Sequence, residues 1–382
     1  MTNDHSDSNL LLIDSSLAFS DYSNFVTSSK IIALDFESHK DLTDKDIPHE
    51  ISDTFLNSHI FTDMENQIFH FVNWYKIKEI SEIISDEGIN LGELFFIEFR
   101  SELTKFLKSF LEISKIIQIH DGYYFQSSKK INEIVSLISK NYKIIYSKKI
   151  EESINSTVDI PIQLGQKIFT VKLNQKNVSK IKNFLDLSTQ NFLNKKIIKF
   201  FKIILLVGFT TLKTENFLLS ANNYNLNLIK YDPDLPSIWN KKTYDIIKNS
   251  KSIIENESTL LSKKEKKEIE NKKKLFEKKF DFIFLQNKIF NDYFSLNGQS
   301  FWNAFKPLFK KICNNYFSRA AKEIILTEKL FQKYSFSKVL IFNESEMTEQ
   351  IILNFARKDK VPTYQIQHGV YYDTPEMKLE NK

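Results

Sequence analysis

The stretch that most constrains this chain is Lys338 to Ile366. Val339 to Phe342 is a short apolar run of the kind that forms a strand buried on both faces. Polar Asn343, Glu344, Ser345 and Glu346 follow, and Asn343 or Ser345 suits a helix start. Met347, Ile351 and Phe355 recur at four-residue spacing and give a helix one apolar face. Arg357, Lys358 and Lys360 crowd its end, where positive charge suits the helix dipole, and Pro362 stops it. Thr363 to Gln367 reads as a second strand. A strand, helix and strand within about 30 residues is a βαβ crossover, whose strands run parallel. Gln367, His368 and Gly369 then fall at the carboxyl end of the second strand. That edge is where open α/β sheets bind ligands.

Similar apolar runs at 31–36, 203–209 and 226–231 are further strands of a parallel sheet. The fold class is therefore α/β, a Rossmann-like parallel sheet with many inserted helices. Apolar residues at helical spacing predict helices at 64–84, 91–118, 129–140 and 305–334. The charged run at 262–280 has Glu and Lys four apart and reads as a solvated helical arm. Segments 158–162 and 168–173 are a candidate strand pair around Gly165, and 180–200 looks helical, with Lys195 and Lys196 open to anionic headgroups. The 382 residues are enough for roughly two domains. The patterning places a loose polar arm at 1–29, one α/β domain at 30–371 with helical insertions at about 64–140 and 241–335, and a polar tail at 372–382.

Charge and composition narrow the function. The net charge is +5, yet only Arg100, Arg319 and Arg357 are arginine. Readers of nucleic acid use arginine for bidentate contacts, so no nucleic-acid partner is expected. Seven glycines are few against an average of roughly 7 %. Neither GxGxxG nor GxxxxGK[ST] is present, so no cofactor or nucleotide cradle is expected in this chain. The single cysteine, Cys313, excludes an internal disulfide and lies on an apolar helical stripe. With a polar N-terminus and no apolar run of about 18 residues, the chain reads as cytoplasmic, peripheral membrane attachment staying open. His39, His49 and His59, ten residues apart, fit no usual zinc spacing and read as exposed loop histidines; no metal site is assigned.

The run from Pro362 to Tyr371, with Gln367-His368-Gly369 after a Pro-led strand, resembles the QHG loop of GT-B-type glycosyltransferases and related transferases. These include capsule-polysaccharide enzymes, polysialyltransferases and CDP-glycerol glycerophosphotransferases. The resemblance covers about 35 residues and implies the N-terminal, acceptor-side half of such an enzyme. It implies His368 as general base on an acceptor hydroxyl, with Glu344 orienting it or binding the acceptor. Gln367, Gly369, Ser345 and Asn343 are the implied substrate-binding residues. The implied partners are a glycan or lipid-linked acceptor and a separately encoded donor domain. The family places its nucleotide-binding domain after the QHG loop, and this chain ends thirteen residues later. The expectation is therefore a truncated transferase, with the nucleotide-activated donor bound elsewhere and little activity alone. Two alternatives stand beside it: a non-catalytic interaction module, and a metal-dependent nuclease using Asp35 and Glu37.

Overall fold

Four consecutive apolar residues, Leu10 to Ile13, form the middle of a parallel sheet; three of them are fully buried. The computed structural model describes residues 8–147, 157–164, 167–174, 180–182, 185, 193, 201–233 and 235–366. The chain divides into two compact units. The first is Met1–Ser85 with Asn90–Ile154 and Glu277–Tyr316; the second is Asp86–Ile89 with Asn155–Phe276 and Phe317–Lys382.

In the first unit the strands are β1 (Asn9–Ile13), β2 (Ser29–Ala33), β3 (Glu50–Ile51), β4 (Tyr124–Ser128) and β5 (Tyr142–Ile145). Their order is β3-β2-β1-β4-β5, every neighbouring pair parallel. The expected loose arm at 1–29 is thus corrected, because its apolar run supplies the central strand. The strand expected over 31–36 ends at Ala33. Asp35 instead caps helix α1 (Phe36–Thr43), its Oδ1 accepting from the amide of Ser38 at 2.8 Å.

The expected helix 64–84 is two pieces, α2 (Ser58–Phe71) and α3 (Lys78–Ile84). Between them Trp74 is fully buried, its ring centre 4.8 Å from that of Phe309. Packing of that indole takes the chain off the helical path. Helices α4 (Phe96–Ile119) and α5 (Lys129–Ile138) follow the sequence reading closely. The unit's core is aromatic: Phe309 also meets Phe99 at 5.5 Å, Phe290 at 5.5 Å and Trp302 at 5.3 Å. Phe309→Ala is expected to lose about 3–5 kcal/mol. Denaturant unfolding followed through Trp74 and Trp302 checks it; a loss below about 1 kcal/mol would contradict this core. Cys313 is fully buried as expected, and burial pushes its thiol up.

The second unit opens with an antiparallel pair, β6 (Thr157–Leu164) and β7 (Lys167–Asn174), as the spacing around Gly165 predicts. Its parallel sheet contains β8 (Lys202–Val207), β9 (Leu226–Tyr231), β10 (Ile253–Glu255), β11 (Lys338–Ile341) and β12 (Thr363–Gln365), in the order β10-β9-β8-β11-β12. Alternate residues of β8 enter opposite cores. Leu205 and Val207 pack with Ile341 and Ile352, and Ile204 and Leu206 with Leu228 and Ile247. Helices α6 (Glu215–Ser220) and α7 (Lys241–Ser250) belong to the second group, and α11 (Met347–Lys358) to the first.

The class is α/β with Rossmann-like parallel sheets, but the single domain expected over 30–371 is corrected to two units. The strand near Ile31 joins one sheet, and those at 203–209, 226–231, 339–342 and 363–367 join the other. The supposed insertions 64–140 and 241–335 contain strands β4 and β10. The sequence YFQSS carries little hydrophobic pattern and IIE is very short, so neither stands out. Helix α8 (Lys263–Phe284) is not a solvated arm: Ile269, Phe276 and Phe280 are buried, and Lys273 pairs with Glu270 at 2.9 Å. Helix α9 spans Asn287–Tyr293 and α10 spans Trp302–Lys333. The expected helix 180–200, with Lys195 and Lys196, lies almost wholly outside the described residues, as does the tail 372–382. Among the described residues no helix is long and apolar enough to cross a membrane.

Candidate active site

In the second unit the chain runs outward from β8 through β9 to β10, then returns to the other side of β8 as β11 and β12. The order reverses between β8 and β11, and ligands of open α/β sheets bind at the carboxyl edge of such a point. Gly208 follows β8, Asp232 follows β9, and the Asn343–Ser345 turn lies beyond β11.

Gly208 has φ +73°, a conformation that glycine adopts without strain. A Cβ there would lie 2.4 Å from Oε1 of Glu349. Glu349 stands in the first turn of α11 and is 6 % exposed. Burial, and then the neighbouring carboxylates of Asp232, Glu346 and Glu323, push its carboxyl up to about 8. Raised in this way, Glu349 favours its protonated form at neutral pH and offers an O–H donor beside Gly208, where the missing Cβ leaves it room. Beside it in the same turn, the buried Thr348 hydroxyl has no hydrogen-bond partner among the described residues.

Two further charged groups are built in. Tyr231 donates its hydroxyl to Oε1 of buried Glu323 at 2.6 Å. Lys230 is 2 % exposed and its ammonium donates to the carbonyl of Phe209. Burial pushes this lysine down to about 8, against the opposing pull of Asp232. The loops are tied together: Thr211 donates to the Ser237 carbonyl at 2.6 Å, and Oδ1 of Asp232 accepts the Leu235 amide at 2.9 Å. Phe209 and Phe342 meet edge to face at 5.7 Å. An open groove of about 440 Å³ lies between α6 and α7, lined by Glu215, Lys241, Lys242 and Asp245.

Of the residues singled out in the sequence, Asn343 and Ser345 come together. Oδ1 of Asn343 accepts from the Ser345 amide at 3.2 Å and its hydroxyl at 2.8 Å. Neither caps α11; Glu346 occupies that position without a side-chain bond. Glu344 is exposed at the tip of the turn. Gln367, His368 and Gly369 lie outside the described residues; the strand before them, β12, pairs with β11 through Ile341 and Gln365. Glu349, Lys230, Asp232 and Glu323 escaped the sequence reading. Glu349 lies among polar residues at a helix start, and only the approach of Gly208 marks it.

The carboxylates proposed for a nuclease are arranged otherwise. Asp35 accepts the Ser15 amide at Oδ2, 2.7 Å away, and the Ser38 amide at Oδ1. Burial opposes its ionisation, but these bonds together hold it below the usual carboxylate range. Asp35 is thus a helix cap with both oxygens engaged, and Glu37 is exposed on the first turn of α1. Among the described residues no group of three or more His, Cys, Asp or Glu is placed to hold a metal ion. Comparison of the chain with protein-family models, with characterised proteins and with solved structures found no match.

Proposed function

We propose that the carboxyl edge of the second sheet is the acceptor-side site of a transferase that adds a sugar or glycerophosphate to a surface-polysaccharide acceptor. The observation that carries this reading is the buried carboxyl of Glu349 packed against Gly208 at the point where the strand order reverses. Group transfer to an alcohol requires the hydroxyl to be held and its proton removed. In this reading Glu349 donates a hydrogen bond that holds the acceptor oxygen, and His368 takes the proton. Glu344, exposed at the same edge, binds further acceptor hydroxyls with Asn343 and Ser345 beside it, and the resemblance adds Gln367 and Gly369 to the substrate-binding residues. The chemistry needs a nucleotide-activated donor; no residue described here is assigned to it, and the donor-binding domain implied by the resemblance would hold it.

The resemblance of the Gln367-His368-Gly369 segment supports the substrate class, and the reversal of strand order beside Gly208 supports this choice of edge. The test is NMR titration of the chain with oligosaccharide and short poly(glycerol phosphate) acceptors. Shifts are expected at the amides of Gly208, Asp232 and Asn343–Ser345, and Glu349→Gln should leave binding within about tenfold. With donor domain and donor added, His368→Ala should cut turnover by about 10²–10⁴-fold. Absence of shifts at this edge with every acceptor tested would remove the proposal and favour a non-catalytic interaction module.

A further inference from the structure

His39 and His49 are not isolated loop histidines. His39 stands in α1, and His49 lies just before β3; both are half-buried. Nδ1 of His39 is 2.7 Å from Nε2 of His49, with ring centres 5.0 Å apart. Nδ1 of His49 is in turn 2.7 Å from the carbonyl of Ile47. A carbonyl only accepts, so Nδ1 of His49 carries the proton and its Nε2 presents a lone pair towards His39. In the metal-free chain the Nδ1–H of His39 donates to that lone pair, and an ion takes the place of this proton once His39 carries its hydrogen on Nε2, both lone pairs then serving the ion.

We propose that His39 and His49 form a two-histidine site for a divalent transition-metal ion, Cu²⁺ ahead of Zn²⁺, with water in the remaining positions. One ring is already oriented by a backbone carbonyl, the arrangement that fixes the tautomer of metal-bound histidines. Two nitrogens about 2.0 Å from an ion stand about 2.8 Å apart at a right angle and about 3.3 Å apart at a tetrahedral angle. The observed separation is closer to the right angle, which suits tetragonal Cu²⁺; that ion also binds nitrogen ligands more tightly in general. The described residues add no third His, Cys, Asp or Glu ligand. The ion would clip α1 to the segment entering β3, so binding should raise the melting temperature.

The test uses the chelator-stripped full chain with Cu²⁺ or Zn²⁺ alone, in calorimetric titration and thermal unfolding. The expected result is one ion per chain at this site, Cu²⁺ tighter than Zn²⁺, with His39→Gln and His49→Gln each weakening it at least about tenfold. His59→Gln should leave it unchanged, since His59 pairs with Asp63 at 3.0 Å on α2. Binding that survives both single substitutions overturns the site. Should a variant fail to fold, Cu²⁺ broadening of the His39 and His49 ring signals in the unaltered chain decides: broadening supports the site and its absence overturns it.

Discussion

Glu349→Gln is expected to stabilise the protein progressively as pH rises from 4.5 to 8. The unfolded chain releases this proton near 4.5, while the folded one holds it to about 8. Between those values the folded state binds more protons, so stability falls with rising pH by about 1.4 kcal/mol per pH unit. The full loss is on the order of 5 kcal/mol and is complete above pH 8. Glutamine has nearly the same shape and never ionises. The variant should match the parent near pH 4 and exceed it most at pH 9. Denaturant unfolding at both pH values measures this. A difference that stays constant across that range would mean that Glu349 ionises normally and that the edge holds no protonated carboxyl. Glu112 in the first unit is also pushed up, to about 7, by burial and by Asp53. It contributes to the parent's overall pH trend but cancels in the comparison with the variant.

Lys230→Met should show the opposite dependence. Lys230 is charged in the unfolded chain up to about 10.5 and in the folded one only to about 8. Between these values the unfolded state binds more protons, so the parent gains stability as pH rises, by about 3 kcal/mol in all. Below pH 8 the penalty of burying the ammonium is fully present. Methionine keeps the length of the stem and removes the charge. The variant should therefore compare best with the parent at pH 7, and its relative stability should fall by about 3 kcal/mol by pH 10.5. Loss of the bond to the Phe209 carbonyl is a pH-independent offset of about 1 kcal/mol. A flat difference would show that Lys230 reaches water. The two substitutions test the same edge through titrations of opposite sign, so no general change in the protein's charge produces both results.

Much of the second sheet was legible because its central strands are largely apolar. Lys202–Val207 and Lys338–Ile341 are mostly apolar runs that hydrophobicity marks, whereas Leu226–Tyr231 carries Asn227 and a buried Lys230 within it. Helix α11 was legible because one face is apolar, although its cap is Glu346 rather than Asn343 or Ser345 and it ends at Lys358, short of Lys360 and Pro362. The central strand of the first sheet was hidden inside a polar N-terminal segment, and β4 carries serines where a hydrophobic pattern was sought. Their pairing depends on partners more than a hundred residues apart, such as Leu12 beside Ser127.

The amino-acid sequence by itself determined the α/β class, most of the helices and the crossover leading to the Gln367-His368-Gly369 segment. These follow from periodicity and local chemistry, which neighbouring residues carry between them. Only the tertiary structure decided that there are two sheets, that Asp35 is a cap, and that Glu349 and Lys230 are buried. Strand order, burial and the approach of Gly208 to Glu349 arise from segments far apart in the chain, and local pattern contains no record of which segments meet.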